Sequence, residues 1–217
     1  FRLELIAVVN NYPAELPPAE IDLYRSLGMT VIAIPKIEHH GAIVLAARIP
    51  GIRASVSENV ILFDSDCRIP NATALIDWYM AQFEAGAALA YTPVDYFDMP
   101  SGPSARAWLA IHHLTRWFKR VVLRVPTSRG SNYAIRRSLM LDLYENGDAL
   151  FDIKVGPAVK ARGGRVSYSG DRRLVVLTSG RNFSGGWAEL WRYLVWRVGY
   201  YRRRRPMQAG TRPPRNS

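Results

Sequence analysis

Residues 59–71 read NVILFDSDCRIPN. Four apolar residues, Val60 to Phe63, run straight into Asp64-Ser65-Asp66, and Pro70-Asn71 then open a helical stretch reaching to about Phe83. A short apolar run bounded by turn residues reads as a buried strand. In open α/β sheets, ligands bind beyond the carboxyl ends of such strands. The one-residue gap brings Asp64 and Asp66 toward one point in a tight turn. Two hard oxygen donors so placed suit a divalent ion, Mg2+ or Mn2+, with positions left open for phosphate oxygens. A plainer reading stands beside this one: the two aspartates cap the helix near Pro70.

Outward from this point, short apolar runs alternate with helical stretches, the pattern of an α/β layer fold. Upstream, strands are expected at 3–9 and 31–34, with a helix from Pro18 to Leu27. A second helix is expected from Gly41 to Ala47, closed by Pro50-Gly51. Downstream, strands are expected at 87–92, 133–135, 165–168 and 174–177. Helices are expected up to Arg120, up to Tyr144 and over 153–161. His39-His40 and His112-His113 are adjacent pairs whose rings point apart on a regular element, so neither makes a ready metal site.

The 217 residues are enough for one domain with a sizeable core, and the 48% apolar and 22% charged residues are ordinary for a folded chain. The formal net charge of +11 is not ordinary and implies an anionic partner. Cys67 is the single cysteine, which excludes an internal disulfide and a thiolate zinc cluster and fits a reducing compartment. The sequence shows neither a signal-peptide pattern nor a run of about 18 uncharged apolar residues.

From Trp187 the character changes. Trp187, Leu190, Trp191, Leu194, Val195, Val198 and Tyr201 share one helical face, and Arg202 to Arg205 follow. Tryptophan and tyrosine beside a basic run read as an interfacial helix on an anionic membrane surface. The sequence thus divides into a domain over 1–186, an aromatic and basic amphipathic helix over 187–205 and a disordered tail over 206–217. Arginine-rich tails also bind nucleic acid, but no nucleic-acid-binding signature accompanies this one, so nucleic acid is not the expected partner.

Several segments, in order, resemble the family-2 glycosyltransferases of GT-A fold: GMTVIAIPK with GAIVLAARIPG, VILFDSDCRIP, RGSNYAIRRS over 129–138, FDIKVGPAVKARGGRVSY, and LVVLTSGRNFSGGW. The resemblance covers roughly residues 3 to 190. It implies a mixed, mostly parallel sheet flanked by helices, and an inverting transfer from a nucleotide-sugar donor to an acceptor hydroxyl.

By that resemblance Asp64, Ser65 and Asp66 hold metal and donor diphosphate, and Asp152 is the general base. Gly130, Ser131 and Asn132 lie behind the donor sugar, Arg181 neutralises the leaving group, and Asn10 and Arg48 contact the nucleoside. The sequence opens at what corresponds to the family's second strand. Asn10 stands where an acid is usual, Phe151 replaces a second acid before the base, and the Gln-x-x-Arg-Trp motif of processive synthases is absent.

The expected setting is the cytoplasmic face of a membrane, with which a lipid-linked acceptor is compatible. Two alternatives remain at this stage. One is a haloacid-dehalogenase-type phosphatase with Asp64 as nucleophile and Gly170-Asp171 as the late acidic segment. The other is a catalytically silent sugar-nucleotide-binding or scaffold domain.

Overall fold

A computed structural model describes residues 3–10, 17–35 and 43–180, together with 186–188, 191, 192 and 195. The chain begins with β1 (Ile6–Asn10), α1 (Pro18–Ser26), β2 (Thr30–Ile34), α2 (Ile43–Ala54), β3 (Asn59–Leu62), α3 (Ala72–Glu84) and β4 (Leu89–Tyr91). It continues with β5 (Val94–Tyr96), α4 (Pro103–Val121), β6 (Tyr133–Arg136), α5 (Arg137–Glu145), α6 (Asp152–Ala161), β7 (Val166–Tyr168) and, after a short 3-10 turn, β8 (Val176–Thr178).

Among the described residues, three sheets form. β1 and β2 pair in parallel, β3-β6-β4-β7 make a four-stranded sheet, and β5 and β8 pair in parallel. β6 runs antiparallel to both β3 and β4, while β4 and β7 are parallel. Because both are antiparallel to β6, β3 and β4 point the same way. Asp64, just past β3, and Thr92, just past β4, therefore lie at the same edge of this sheet.

Two apolar layers enclose the sheet. On one face Leu45, Ile49 and Ile52 of α2, Met140 and Leu143 of α5, and Val155 and Val159 of α6 pack on Tyr133 and Ile135. On the other, Leu75, Tyr79 and Phe83 of α3 pack on Ala90 and Ala134. The alternation of Tyr133, Ala134 and Ile135 between faces follows from the two-residue period of a strand. Leu75, Tyr79 and Phe83 recur every fourth residue and are almost wholly buried. Each side chain so buried contributes about 1.5–3 kcal/mol.

The expectation for α2 needs correcting: the helix runs through Pro50 to Ala54. A proline inside a helix removes one hydrogen bond and crowds the preceding turn. Here that cost is met by burial of Leu45, Ile49 and Ile52 along one face. Gly51 belongs to the same solution, because a β-carbon there would lie 2.6 Å from the Val8 side chain, so only glycine lets α2 close on β1. The expected strand at 174–177 starts instead at Val176, after the 3-10 turn. The three-residue β5 escaped the sequence pattern.

In the C-terminal segment, residues 186–188, 191, 192 and 195 are helical, and Trp187, Trp191 and Val195 are exposed. The rest of the expected 187–205 helix and the tail at 206–217 lie outside the described residues. Among the described residues no helix is long and apolar enough to cross a membrane.

Candidate functional site

The turn after β3 closes with the Cys67 amide donating to the Asp64 carbonyl at 3.1 Å. It gathers one ligand atom from each of Asp64, Asp66 and Cys67 within 4.8 Å of one another. The aspartates do not cap α3. That work is done by Asn71, whose side chain accepts from the Ala74 amide at 3.2 Å. Asp66 accepts from the Thr178 hydroxyl of β8 at 3.3 Å, and Ser65 is exposed at the tip of the turn.

Burial pushes the Cys67 thiol up to about 11, and the thiol donates to the Ser131 carbonyl at 3.4 Å. The thiol is already engaged with a carbonyl, and a soft sulfur suits a hard ion less well than the carboxylates beside it. Asp64 and Asp66 supply the oxygen donors, a set that fits a hard, oxygen-preferring divalent ion.

Arg48 projects from α2 into the middle of the site. One guanidinium nitrogen is ion-paired with Asp64; the other donates to Asp152 at 3.4 Å. The Arg48 side chain is only 11% exposed. Burial works against its charge, but Asp152, Tyr133 and Asp64 outweigh burial and hold the guanidinium more firmly protonated than usual.

Asp152 is the first residue of α6, where a carboxylate also suits the positive end of the helix dipole. The cap position belongs to Phe151, and the Asp152 carboxylate instead accepts from the Tyr133 hydroxyl at 3.0 Å. Burial raises the Asp152 pKa above the ordinary carboxylate value; Asp64 adds to that, while Arg48 and the Tyr133 hydrogen bond oppose it. A carboxylate so placed is poised to accept a proton nearer neutrality.

Gly130 packs directly on this pair. A β-carbon there would lie 2.5 Å from Asp152 Oδ2 and 2.9 Å from Arg48 Nη2. The glycine is required by close approach, since its φ lies outside the left-handed region.

Four sequence-selected residues, Arg48, Asp64, Gly130 and Asp152, thus form one cluster, with Asp66 beside it. The Ser131 carbonyl reaches the aspartate turn through the Cys67 thiol. Asn132 is placed elsewhere: its side chain is buried, accepting from the Tyr79 hydroxyl and donating to the Thr92 hydroxyl. Asn10 ends β1, and its buried side-chain oxygen has no hydrogen-bond partner among the described residues. Arg181 lies outside the described residues.

Sequence reading missed Tyr133 as the partner of Asp152. The signal was the strand period in YAIR, which puts Tyr133 on the face that carries α2 and α6. Thr178 was missed because β8 meets the aspartate turn only in three dimensions, through the Arg68 and Leu177 backbones.

No protein-family model matches the chain, and no curated protein matches it. Among solved structures, a mannosyltransferase from Pyrobaculum calidifontis in complex with GDP-Man and Mn2+ superposes with a TM-score of 0.53 at 16% identity, over 95% of this chain. The fold is GT-A-like. The chain spans 56% of the length of that mannosyltransferase. A Bacillus anthracis protein described as a glucose-1-phosphate thymidylyltransferase, in complex with sucrose, gives a TM-score of 0.43 at 9% identity over 82% of this chain and 71% of its own. That match is too distant to bear on the fold.

Proposed function

We propose that this chain is the donor-binding and catalytic region of an inverting, metal-dependent glycosyltransferase of the family-2 kind. One observation carries the reading. Arg48 joins the carboxylate of the Asp64-Ser65-Asp66 turn to Asp152, which lies 104 residues from Arg48 in sequence, at the edge of a GT-A-like sheet. A nucleotide-sugar donor and a divalent ion are also what the Pyrobaculum calidifontis mannosyltransferase holds.

In the proposed reaction Asp152 accepts the proton of an acceptor hydroxyl as that oxygen attacks the anomeric carbon. The bond from the anomeric carbon to the donor diphosphate breaks, and its electron pair leaves with the diphosphate oxygen. Attack opposite the leaving group inverts the centre. Asp64 and Asp66 would hold a divalent ion, which would supply charge neutralisation for the departing diphosphate. Arg48 keeps Asp152 and Asp64 apart and oriented, Tyr133 fixes the Asp152 carboxylate, and Gly130 leaves room for both. Asn10 is assigned to the nucleoside and Arg181 to the leaving group. We assign Asn132 to holding the turn behind the donor rather than to contacting it.

The setting we propose is the cytoplasmic face of an anionic membrane. Trp187, Trp191 and Val195 present one exposed helical face. Leu114, Trp117, Phe118 and Val121 of α4 make an exposed stripe at i, i+3, i+4 and i+7, beside Lys119, Arg120 and Arg124. Co-sedimentation with vesicles rich in anionic lipid, reduced at least fivefold in Trp117→Ser/Phe118→Ser, is the expected result. Equal binding of wild type and variant would remove this support.

The phosphatase reading is less well supported, since Asp171, the late acid it needs, is held by Arg173 at 2.8 Å. Nucleoside diphosphate release that requires a sugar nucleotide, and that Asp152→Asn abolishes, tests the proposal. Phosphate release from a simple phosphoester without sugar nucleotide would overturn it.

A further inference from the structure

A second concave site opens beside the first. Its volume is about 100 Å³, and its wall includes His113, Arg116 and Arg120 of α4, Arg129, Tyr168 and Thr127. The three α4 residues fall at i, i+3 and i+7, one face of the helix distinct from its exposed apolar stripe.

The charge here is one-sided. No carboxylate lines the pocket, and none of Arg116, Arg120 and Arg129 has a carboxylate partner among the described residues. None of their contacts supplies a counter-charge. Arg116 donates to the Val94 carbonyl at 3.4 Å, Arg129 donates to the Tyr96 hydroxyl at 2.8 Å and meets His112 Nε2 with its other terminal nitrogen, and Arg120 lies over the Tyr168 ring at 4.0 Å. The second guanidinium nitrogen of Arg116 is buried with no hydrogen-bond partner among the described residues. A buried charged donor left unpaired is costly, and concentrated cationic donors in a low-dielectric wall are resolved by an anion.

The pocket is tied to the candidate catalytic group but separate from the diphosphate turn. Its wall residue Arg129 immediately precedes Gly130, which packs on Asp152. None of Asp64, Ser65 and Asp66 lines it. We infer that this pocket binds a phosphate monoester carried by the acceptor, which places the acceptor hydroxyl near Asp152. The acceptor assignment rests on the glycosyltransferase reading; the phosphate site itself does not. Guanidinium groups suit phosphate oxygens through paired, directional hydrogen bonds. The phosphate is borne either by a lipid or by a soluble acceptor.

The full chain is titrated calorimetrically with inorganic phosphate and with hexyl phosphate in EDTA, so that no metal at the aspartate turn contributes; hexanol is the neutral control. Saturable binding of both phosphates and none of hexanol is expected. The dissociation constant should rise tenfold or more in Arg116→Gln and in Arg120→Gln, with unchanged circular dichroism and unchanged manganese-dependent donor binding. Tighter arginine-dependent binding to vesicles carrying phosphatidic acid than to dissolved hexyl phosphate assigns a lipid-borne group; the reverse order assigns a soluble one. Equal phosphate binding by wild type and both folded variants, or no phosphate binding by protein that binds donor, overturns the inference. Arginine-dependent phosphate binding by protein that binds no donor leaves the pocket standing and defeats the glycosyltransferase reading instead.

Discussion

Replacing Gly130 by alanine adds one methyl group at the point where three segments meet. The new carbon would sit 2.5 Å from Asp152 Oδ2 and 2.9 Å from Arg48 Nη2. Ordinary carbon contacts lie near 3.5 Å, so the carboxylate, the guanidinium or the loop must give way by about 1 Å. The backbone at Gly130 is not left-handed, so alanine brings no dihedral penalty and the effect is steric alone. Overpacking of this kind costs about 1–3 kcal/mol of stability. A base misplaced by about 1 Å costs on the order of 100-fold in turnover. Gly130→Ala should therefore remain folded, bind donor within a few-fold of wild type, and release nucleoside diphosphate about 100 times more slowly. Steady-state release assays alongside thermal melts give both quantities. Turnover within twofold of wild type, in a protein with the wild-type melting temperature, would refute the placement of Asp152 beside Gly130 as the working base.

Other outcomes follow from the same geometry. Asp152→Asn should lower turnover by at least about 100-fold while donor binding persists, because only proton acceptance is removed; a pre-steady-state release assay separates the two. Since the Asp152 pKa is raised by burial, wild-type turnover should climb through an acid limb displaced above the ordinary carboxylate range. Tyr133→Phe should move that limb further up by removing a hydrogen bond that favours the charged form, as a pH–rate profile will show. The stability contribution runs in the opposite sense. A carboxylate titrating higher in the fold than in the unfolded chain stabilises most below the unfolded value, and that contribution is lost as pH rises through the folded one, so Asp152→Asn should flatten this part of the urea-unfolding pH profile. Asn132→Ala strips the partner of Tyr79 and Thr92 in a buried network and should cost about 1–3 kcal/mol in urea unfolding, with donor affinity nearly intact.

The layer order and the aspartate turn were legible because both rest on local rules. An apolar run that stops at two carboxylates marks a strand end and a turn, and the 3.6-residue and two-residue periods located α3 and β6 to within a residue or two. The end of α2 was not legible, because Pro50 is a local stop signal and only the packing of Ile49 and Ile52 overrides it. The union of Arg48 with Asp152 is likewise invisible to spacing, since 104 residues separate them. The resemblance supplied both residues but gave Arg48 to the nucleoside, whereas the fold turns it onto two aspartates. Asn132 shows the reverse case: a motif residue whose side chain the core has taken up. The basic pocket escaped notice because its arginines come from α4 and the loop before β6, and each looks like a solvated surface charge when read alone.

On the proposed function, Asp64 and Asp66 hold a nucleotide-sugar donor through a divalent ion. Calorimetric titration of a panel of nucleotide sugars, with and without manganese, on wild type and on Asp64→Ala/Asp66→Ala tests it most directly. Manganese-dependent binding of one donor that disappears in the folded double variant is the expected result. Binding that ignores manganese and survives the double substitution, or no binding by folded wild type, would contradict it.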